Sequence, residues 1–130
     1  MDMKSAVTAI GFALLLSTGL AAAADKTIVA KSGETVDVMA VYGANRCRSL
    51  LVAPPEIEVL QAPPELKLSI REDMVTPNNC QSKVKGGFVV ATVGEVKQPT
   101  EGQVSFRVKY KTKDGTRQSG HVYKVSLLPK

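Results

Sequence analysis

Apolar and polar residues alternate through much of this chain, and that alternation constrains the fold more than any other feature of the sequence. Every second residue is apolar between Thr35 and Tyr42, which is the pattern of a half-buried β-strand. Two similar segments follow at residues 53–60 and 62–70, where a proline pair blocks a helix before another alternating run. Beyond the first two dozen residues, apolar residues do not recur at the three-and-four spacing of a helix. The chain is therefore predicted to be all-β.

The spacing of these runs, and of the turn signals between them, predicts a sandwich rather than a lone sheet. Ser32-Gly33 separates the first two runs, a polar loop covers residues 73–87, and residues 88–93 form a continuous apolar run suited to a central strand. About seven short strands at this spacing are typical of an all-β sandwich. A chain of 130 residues has room for one such domain, which excludes a two-domain protein, a cofactor-binding α/β enzyme and a transmembrane transporter.

The amino-terminal segment has the composition of an export signal. Lys4 provides a positive start, residues 6–20 are almost entirely apolar, and Ala22-Ala23-Ala24 offers the small-residue cleavage pattern. A membrane anchor is the alternative, but the apolar run is shorter than the roughly 20 residues needed to span a bilayer. We expect a signal peptide at 1–24 and a single mature domain at 25–130, periplasmic or secreted from a bacterium, with no transmembrane segment after cleavage.

Export determines how the two cysteines are interpreted. Cys47 and Cys80 are the only cysteines, an even number for an oxidising compartment, so one structural disulfide is expected. Closing the loop between them would restrict the unfolded chain by roughly 3–4 kcal/mol in the chain-entropy model. A catalytic thiol is the alternative, and it would need a C-x-x-C pair or an activating neighbour, neither of which is visible.

The last part of the chain predicts a long β-hairpin. Asp114-Gly115 between two alternating runs is a two-residue turn signal, because both positions tolerate a positive φ. With that turn, Phe106 faces Tyr123 on the inner side of the ribbon. The other side carries a row of cations, here called the basic row: Arg107, Lys109, Lys111 and Lys113.

The basic row is a candidate surface for an anionic ligand. Its members are about 7 Å apart along the strand, and the opposite strand of the hairpin offers them no carboxylate. Residues 81–130 hold 10 basic and 3 acidic side chains, so positive charge concentrates in this part of the chain. An anionic envelope polymer or an acidic protein partner would fit, whereas the compartment and the lack of accompanying aromatic residues argue against nucleic acid. The alternative is a solvated strand whose lysines prevent edge-to-edge aggregation.

Residue patterns of catalytic and metal sites are missing from the sequence. His121 is the only histidine, and the hairpin register turns it inward, where a structural role competes with that of a base. Zinc and blue-copper ligand spacings do not occur, and no glycine-rich phosphate loop follows a strand. Glu56 and Glu58 have no visible partners and are interpreted as solvated charges. We expect no enzyme activity, no metal and no cofactor.

The order of prolines, cysteines and glycines resembles a known class of proteins. Asn45-Arg-Cys47, two Pro-led strands, Cys80, a Gly-Gly-led strand and a final Asp-Gly hairpin are similar to small exported immunoglobulin-like (cadherin-like) proteins of Gram-negative bacteria. The resemblance covers most of residues 35–128 and implies an immunoglobulin-like antiparallel β-sandwich that acts in adhesion, scaffolding or envelope binding. Unlike antibody domains, the chain lacks Trp, and its two cysteines are close together in the sequence. The disulfide is therefore expected to pin a loop to a strand end.

A second resemblance supplies the alternative function. Ser119, Gly120 and Tyr123 form the S-G-x-x-Y pattern of periplasmic inhibitors of animal-type lysozyme, which implies a loop at Ser119 that enters the cleft of a hydrolase. A protruding loop would favour inhibition, whereas a flat paired strand would count against it. The function expected first is a secreted, non-enzymatic binding or structural module of the bacterial envelope.

Overall fold

The computed structural model describes residues 26–130, and the regular elements among them are all β-strands. Seven longer strands carry the fold, and two strands of two residues each form a small separate hairpin. In chain order the strands are β1 (Thr27–Lys31), β2 (Thr35–Val41), β3 (Ala44–Asn45), β4 (Arg48–Ser49), β5 (Glu56–Gln61), β6 (Leu66–Val75), β7 (Val84–Val93), β8 (Thr100–Thr112) and β9 (Gly115–Leu128). The predicted all-β class is confirmed. The predicted signal peptide, residues 1–24, lies outside the described residues.

Two sheets pack against each other as a sandwich around one core. The first sheet has four strands in the order β1-β9-β8-β5, and the second has three in the order β2-β7-β6. Neighbouring strands are antiparallel with one exception, since β1 runs parallel to β9 and Ile28 lies beside Val125. The predicted antiparallel sandwich is therefore present, with a parallel first strand that the spacing of the sequence does not reveal.

The core lies between the two sheets, where the alternating apolar residues meet. Val104, Phe106 and Val108 of β8 are fully buried, and so are Val89 and Ala91 of β7 in the other sheet. Fully burying a Val or Phe side chain stabilises a fold by roughly 1.5–3 kcal/mol. Because successive side chains of a strand point to opposite faces, this burial turns the odd-numbered residues of β8 outward.

The β8–β9 hairpin has a register two residues away from the predicted one. Phe106 lies opposite His121 rather than Tyr123, because the turn consists of residues 113–114. Gly115 follows the turn with a φ of 122°, so the Asp-Gly pair does not form the centre of the turn. A slip of two residues keeps every side chain on its predicted face, although each cross-strand partner changes.

The predicted disulfide between Cys47 and Cys80 is confirmed, with its sulfur atoms 2.03 Å apart. Cys47 lies in the turn of the short β3–β4 hairpin, and Cys80 lies in the loop between β6 and β7. The bridge therefore joins two loops at one end of the sandwich. It does not pin a loop to a strand end, which corrects the detailed expectation.

Candidate functional site

The basic row lies on the outer face of the four-stranded sheet. Arg107, Lys109 and Lys111 alternate with inward-facing residues along β8, and their side chains are 39% to 51% exposed. Lys113 lies in the turn after β8 rather than on the strand. The structure thus brings three of the four predicted residues onto one face and places the fourth beyond the strand end.

Two glutamates face the basic row from the neighbouring strand. β5 pairs with the side of β8 that the hairpin leaves open, which sets Glu58 opposite Arg107 and Glu56 opposite Lys109. Glu58 Oε1 is 3.6 Å from Arg107 Nη1 and 3.8 Å from Lys109 Nζ. Glu56 Oε2 is 3.5 Å from Lys111 Nζ. The row is unopposed within the hairpin, but the expectation that it is uncompensated is wrong for the sheet, and both glutamates have partners.

These ion pairs lower the positive potential of the face and contribute little to the stability of the fold. The five side chains are 39% to 59% exposed, and ion pairs in such positions contribute about 0–1 kcal/mol each. Three strand cations against two carboxylates leave a single net positive charge, to which Lys113 adds another. The basic row is therefore a weaker anion surface than the sequence indicates.

An ion-pair cluster covers the outer face of the three-stranded sheet. Arg71 on β6 reaches across β7 to Asp37 on β2 and donates two hydrogen bonds, from Nη1 to Oδ1 at 2.9 Å and from Nη2 to Oδ2 at 3.1 Å. These bonds lower the pKa of the Asp37 carboxyl. The same guanidinium lies 5.1 Å from the centroid of the Phe88 ring and 3.6 Å from Asp73. Arg71 is thus engaged on several sides and is a poor candidate for binding a ligand.

His121 belongs to a short chain of hydrogen-bonding side chains. Ser119 Oγ is 2.9 Å from His121 Nε2, and the Tyr110 hydroxyl is 3.3 Å from Ser119 Oγ. The imidazole packs against Phe106, with 5.3 Å between the ring centroids. Burial, and then the charge of Lys26, lowers the pKa of His121, so the ring is neutral at neutral pH. No side-chain hydrogen bond within the described part of the chain joins a carboxylate to this histidine.

Ser119 and Tyr123, the residues of the alternative inhibitor loop, both lie in strand β9. Ser119 is paired with Val108 of β8. Tyr123 is only 6% exposed, its ring stacks on Phe106 with 5.9 Å between centroids, and burial raises its pKa. The protruding loop that the lysozyme-inhibitor pattern implies is therefore not present at Ser119, where the structure has a flat paired strand.

Sequence reasoning missed a second group of cations, which lies beside the disulfide. Arg46 and Arg48 flank the first cysteine, Lys83 and Lys85 follow the second, and all four are exposed. Among the described residues, no carboxylate lies within 4.0 Å of any of these four cations. A charge count that divides the chain at residue 80 places the two arginines in one half and the two lysines in the other, so it does not show them as one group. A charge count around each cysteine would have found them.

Metal ligands do not gather in residues 26–130, where no three His, Cys, Asp or Glu side chains are grouped so that they could hold an ion. No helix in this part of the chain is long and apolar enough to cross a membrane. The candidate surfaces are therefore assigned from geometry and charge, and the two resemblances in the residue patterns stay predictions. No family model, no curated protein and no solved structure matches this chain.

Proposed function

We propose that this protein is a non-enzymatic binding module of the bacterial envelope and that its ligand is anionic. The observation that carries the proposal is a surplus of cations without carboxylate partners. Residues 26–130 hold 16 basic side chains, of which only four lie within 4.0 Å of a described carboxylate: Arg71, Arg107, Lys109 and Lys111. Such a surplus raises the local concentration of anionic groups and accelerates association with them.

The disulfide supports the proposed compartment. Disulfides persist in the periplasm and outside the cell and are rare in the cytosol, where thiols are kept reduced. Both cysteines of this chain are paired with each other. The charge, apolar run and small-residue pattern of residues 1–24 favour export to the same compartment.

The strand order supports a sandwich of the immunoglobulin-like type. Counted along the chain without the short β3–β4 hairpin, the second, fifth and fourth strands share one sheet, and the third, sixth and seventh share the other. Immunoglobulin constant domains divide their strands in the same way, as B-E-D and C-F-G. The first strand differs, because it pairs with the seventh strand here and with the second in those domains. Sandwiches of this type serve many functions, so the proposal rests on the surface and not on the fold.

Binding of the oxidised protein to envelope fractions and to purified lipopolysaccharide, at low and at moderate salt, tests the proposed function. We expect salt-sensitive binding, because added ions screen exposed charges beyond about 10 Å at 0.1 M. A Lys109→Glu/Lys111→Glu variant reverses two charges of the basic row and should bind less. The matched Glu56→Gln/Glu58→Gln variant removes the compensating carboxylates and should bind more. If the protein does not bind, or if neither salt nor these variants change its binding, an electrostatic envelope-binding function is wrong.

A further inference from the structure

Six cations without ion pairs to described residues gather at one end of the sandwich. They come from the β3–β4 hairpin, the β6–β7 loop with the start of β7, and the β8–β9 hairpin. This group, called the disulfide end, consists of Arg46, Arg48, Lys83, Lys85, Lys113 and Arg117. Residues 42–55 and 74–87 contain no Asp or Glu, and Asp114 is the one carboxylate in residues 110–120 around the β8–β9 turn.

Specific contacts bring these three segments together. The disulfide joins the first two, with 5.6 Å between its Cα atoms, and Ser49 Oγ donates a hydrogen bond to the Lys85 carbonyl oxygen at 3.5 Å. Leu51, just after β4, forms a β-bridge with Thr112 at the end of β8. A cavity of about 390 Å³ lies between the β3–β4 hairpin and Arg117. Cations that are far apart in the sequence therefore lie at the same end of the sandwich.

The backbone beside the disulfide is held in an uncommon conformation. Arg46, Cys47 and Asn79 have φ values of 53°, 61° and 65°, and they are the only non-glycine residues with a positive φ among those described. Residues in such conformations persist where their surroundings impose them, and they cluster at ligand clamps. Arg46 and Cys47 occupy a two-residue hairpin turn that usually requires Asn-Gly. The disulfide thus holds Arg46 at a defined place on the tip of this end.

A groove of about 460 Å³, lined by apolar residues together with Lys85 and two carboxylates, lies beside the start of β7. Val52 and Met74 line it and are 58% and 45% exposed, and Lys85 lines it as well. Its two carboxylates, Glu72 and Asp73, lie farther along β6 from the disulfide than Met74 does. Cations beside exposed apolar side chains are complementary to a surface that presents anionic groups above hydrocarbon.

The opposite end of the sandwich has a different charge. Its loops and strand ends carry four carboxylates and four cations, namely Glu34, Glu65, Glu95, Glu101, Lys31, Lys67, Lys97 and Lys130. The opposite end therefore has no net charge from its side chains, whereas the disulfide end is strongly positive. In the field of an anionic surface, such a difference orients a molecule with its positive end first.

We propose that the disulfide end docks onto an anionic lipid surface, with its cations on the lipid phosphates and with Val52 and Met74 at the hydrocarbon boundary. Arginine binds phosphate oxygens with two parallel hydrogen bonds, and lysine acts as a point charge. This inference rests on the proposed function, in which the ligand is anionic, and it names the surface and the ligand. The three strand residues of the basic row, Arg107, Lys109 and Lys111, play the smaller part in this docking, because Glu56 and Glu58 compensate them.

Flotation of the oxidised protein with phosphatidylcholine vesicles that contain one part in five of phosphatidylglycerol, beside vesicles of phosphatidylcholine alone, tests the docking. We expect binding to the anionic vesicles only. An Arg46→Asn/Arg48→Gln variant removes two charges, and Asn tolerates the positive φ at position 46. Its affinity for the vesicles should fall roughly 30-fold, since each cation near an anionic membrane raises the affinity about fivefold. The matched Lys97→Gln/Lys130→Gln variant loses the same charge at the opposite end and should stay within about twofold of the parent.

Two further measurements separate this docking from other anion binding. A Val52→Ser/Met74→Ser variant should weaken vesicle binding more than it weakens binding of inorganic polyphosphate. Equal losses in the two charge variants would overturn the disulfide end as the site and leave the proposed function intact. Binding of polyphosphate without binding of anionic vesicles would overturn the lipid as the source of phosphate. A parent protein that binds neither vesicles nor polyphosphate nor lipopolysaccharide contradicts both proposals.

Discussion

Arg107 on β8 lies directly opposite Glu58 on β5, and 3.6 Å separates Arg107 Nη1 from Glu58 Oε1. This relationship changes the character of the outer face of the four-stranded sheet, because the same carboxylate oxygen is also 3.8 Å from Lys109 Nζ. A row of cations that the hairpin alone leaves unopposed is compensated once β5 is in place. Glu58 is therefore the side chain that most limits the affinity of the basic row for anions.

A Glu58→Gln variant should bind lipopolysaccharide more tightly than the parent protein at low salt. Its free energy of unfolding should change by only about 0–1 kcal/mol, because both partners in the ion pair are about half exposed. Binding titrations and urea denaturation measure the two quantities. Glu101→Gln has the same change in charge at the far end of β8. If the two variants gain the same affinity, the net charge of the protein matters and the position of Glu58 does not.

Removing the disulfide with a Cys47→Ser/Cys80→Ser variant should lower the free energy of unfolding by about 4 kcal/mol, since the bridge closes a loop over a separation of 33 residues. Urea denaturation of the oxidised parent and of the variant measures the difference. The parent protein under reducing conditions is the control and should match the variant. A loss below about 1 kcal/mol would show that the unfolded chain gains little freedom when the bridge is absent.

Arg46→Gly should raise the free energy of unfolding by about 1 kcal/mol, because glycine adopts the positive φ of 53° without the steric cost that an L-residue carries. Arg48→Gly removes the same charge from β4, where φ is ordinary, and should destabilise the protein by roughly 0.5–1 kcal/mol. Thermal and urea denaturation of both variants check the contrast. Changes of the same sign in the two variants would mean that charge, and not backbone conformation, controls stability at this turn.

Below about pH 6.5 the stability of the protein should depend on His121. Its pKa is lowered in the folded protein by burial and then by the charge of Lys26, so the unfolded chain takes up this proton first as the pH falls. The contribution of His121 is therefore complete above about pH 6.5 and declines as the pH approaches the folded pKa. The hydrogen bonds from Arg71 lower the pKa of Asp37, so its contribution to stability is lost only as the pH falls to about its ordinary pKa of 3.8 and below.

Two measurements check this dependence on pH. The chain has one histidine, so the imidazole signals in an NMR titration report the folded pKa of His121 without ambiguity. Urea denaturation at several pH values between about 7.5 and about 5 should show a loss of stability in the parent that is smaller in a His121→Gln variant. A folded pKa at or above about 6.5, or equal slopes in the two proteins, would contradict the prediction.

Local patterns predicted well what depends on local geometry. Alternation identified Phe106 and Val108 as inward residues, and both are fully buried. The same alternation predicts the outward face of β8, and the structure confirms that face although the hairpin register is two residues away from the predicted one. The reason is the period of a strand, because a slip of two residues returns every side chain to the same face. The disulfide followed from an even cysteine number and the expected compartment.

The candidate sites were harder to predict, because they depend on which segments become neighbours. Glu56 and Glu58 carry the two-residue spacing of the basic row, but that spacing does not say that β5 will pair with β8. No pattern in the sequence predicts that β1 pairs in parallel with β9. The prediction of an inhibitor loop is wrong for a different reason. A short residue pattern around Ser119 cannot distinguish a loop from a paired strand, and the structure has the strand.

Residue order and composition alone were enough to predict the strands, their inner and outer faces, the disulfide and the excess of positive charge. These properties follow from residue order over a few positions or from composition, and they survive a change of register. The folded structure, in contrast, sets Glu58 opposite Arg107 and places Arg46, Lys85 and Arg117 at one end of the sandwich. Those relationships join segments that are distant in the chain, and packing of the two sheets selects them from the many pairings that alternation alone permits.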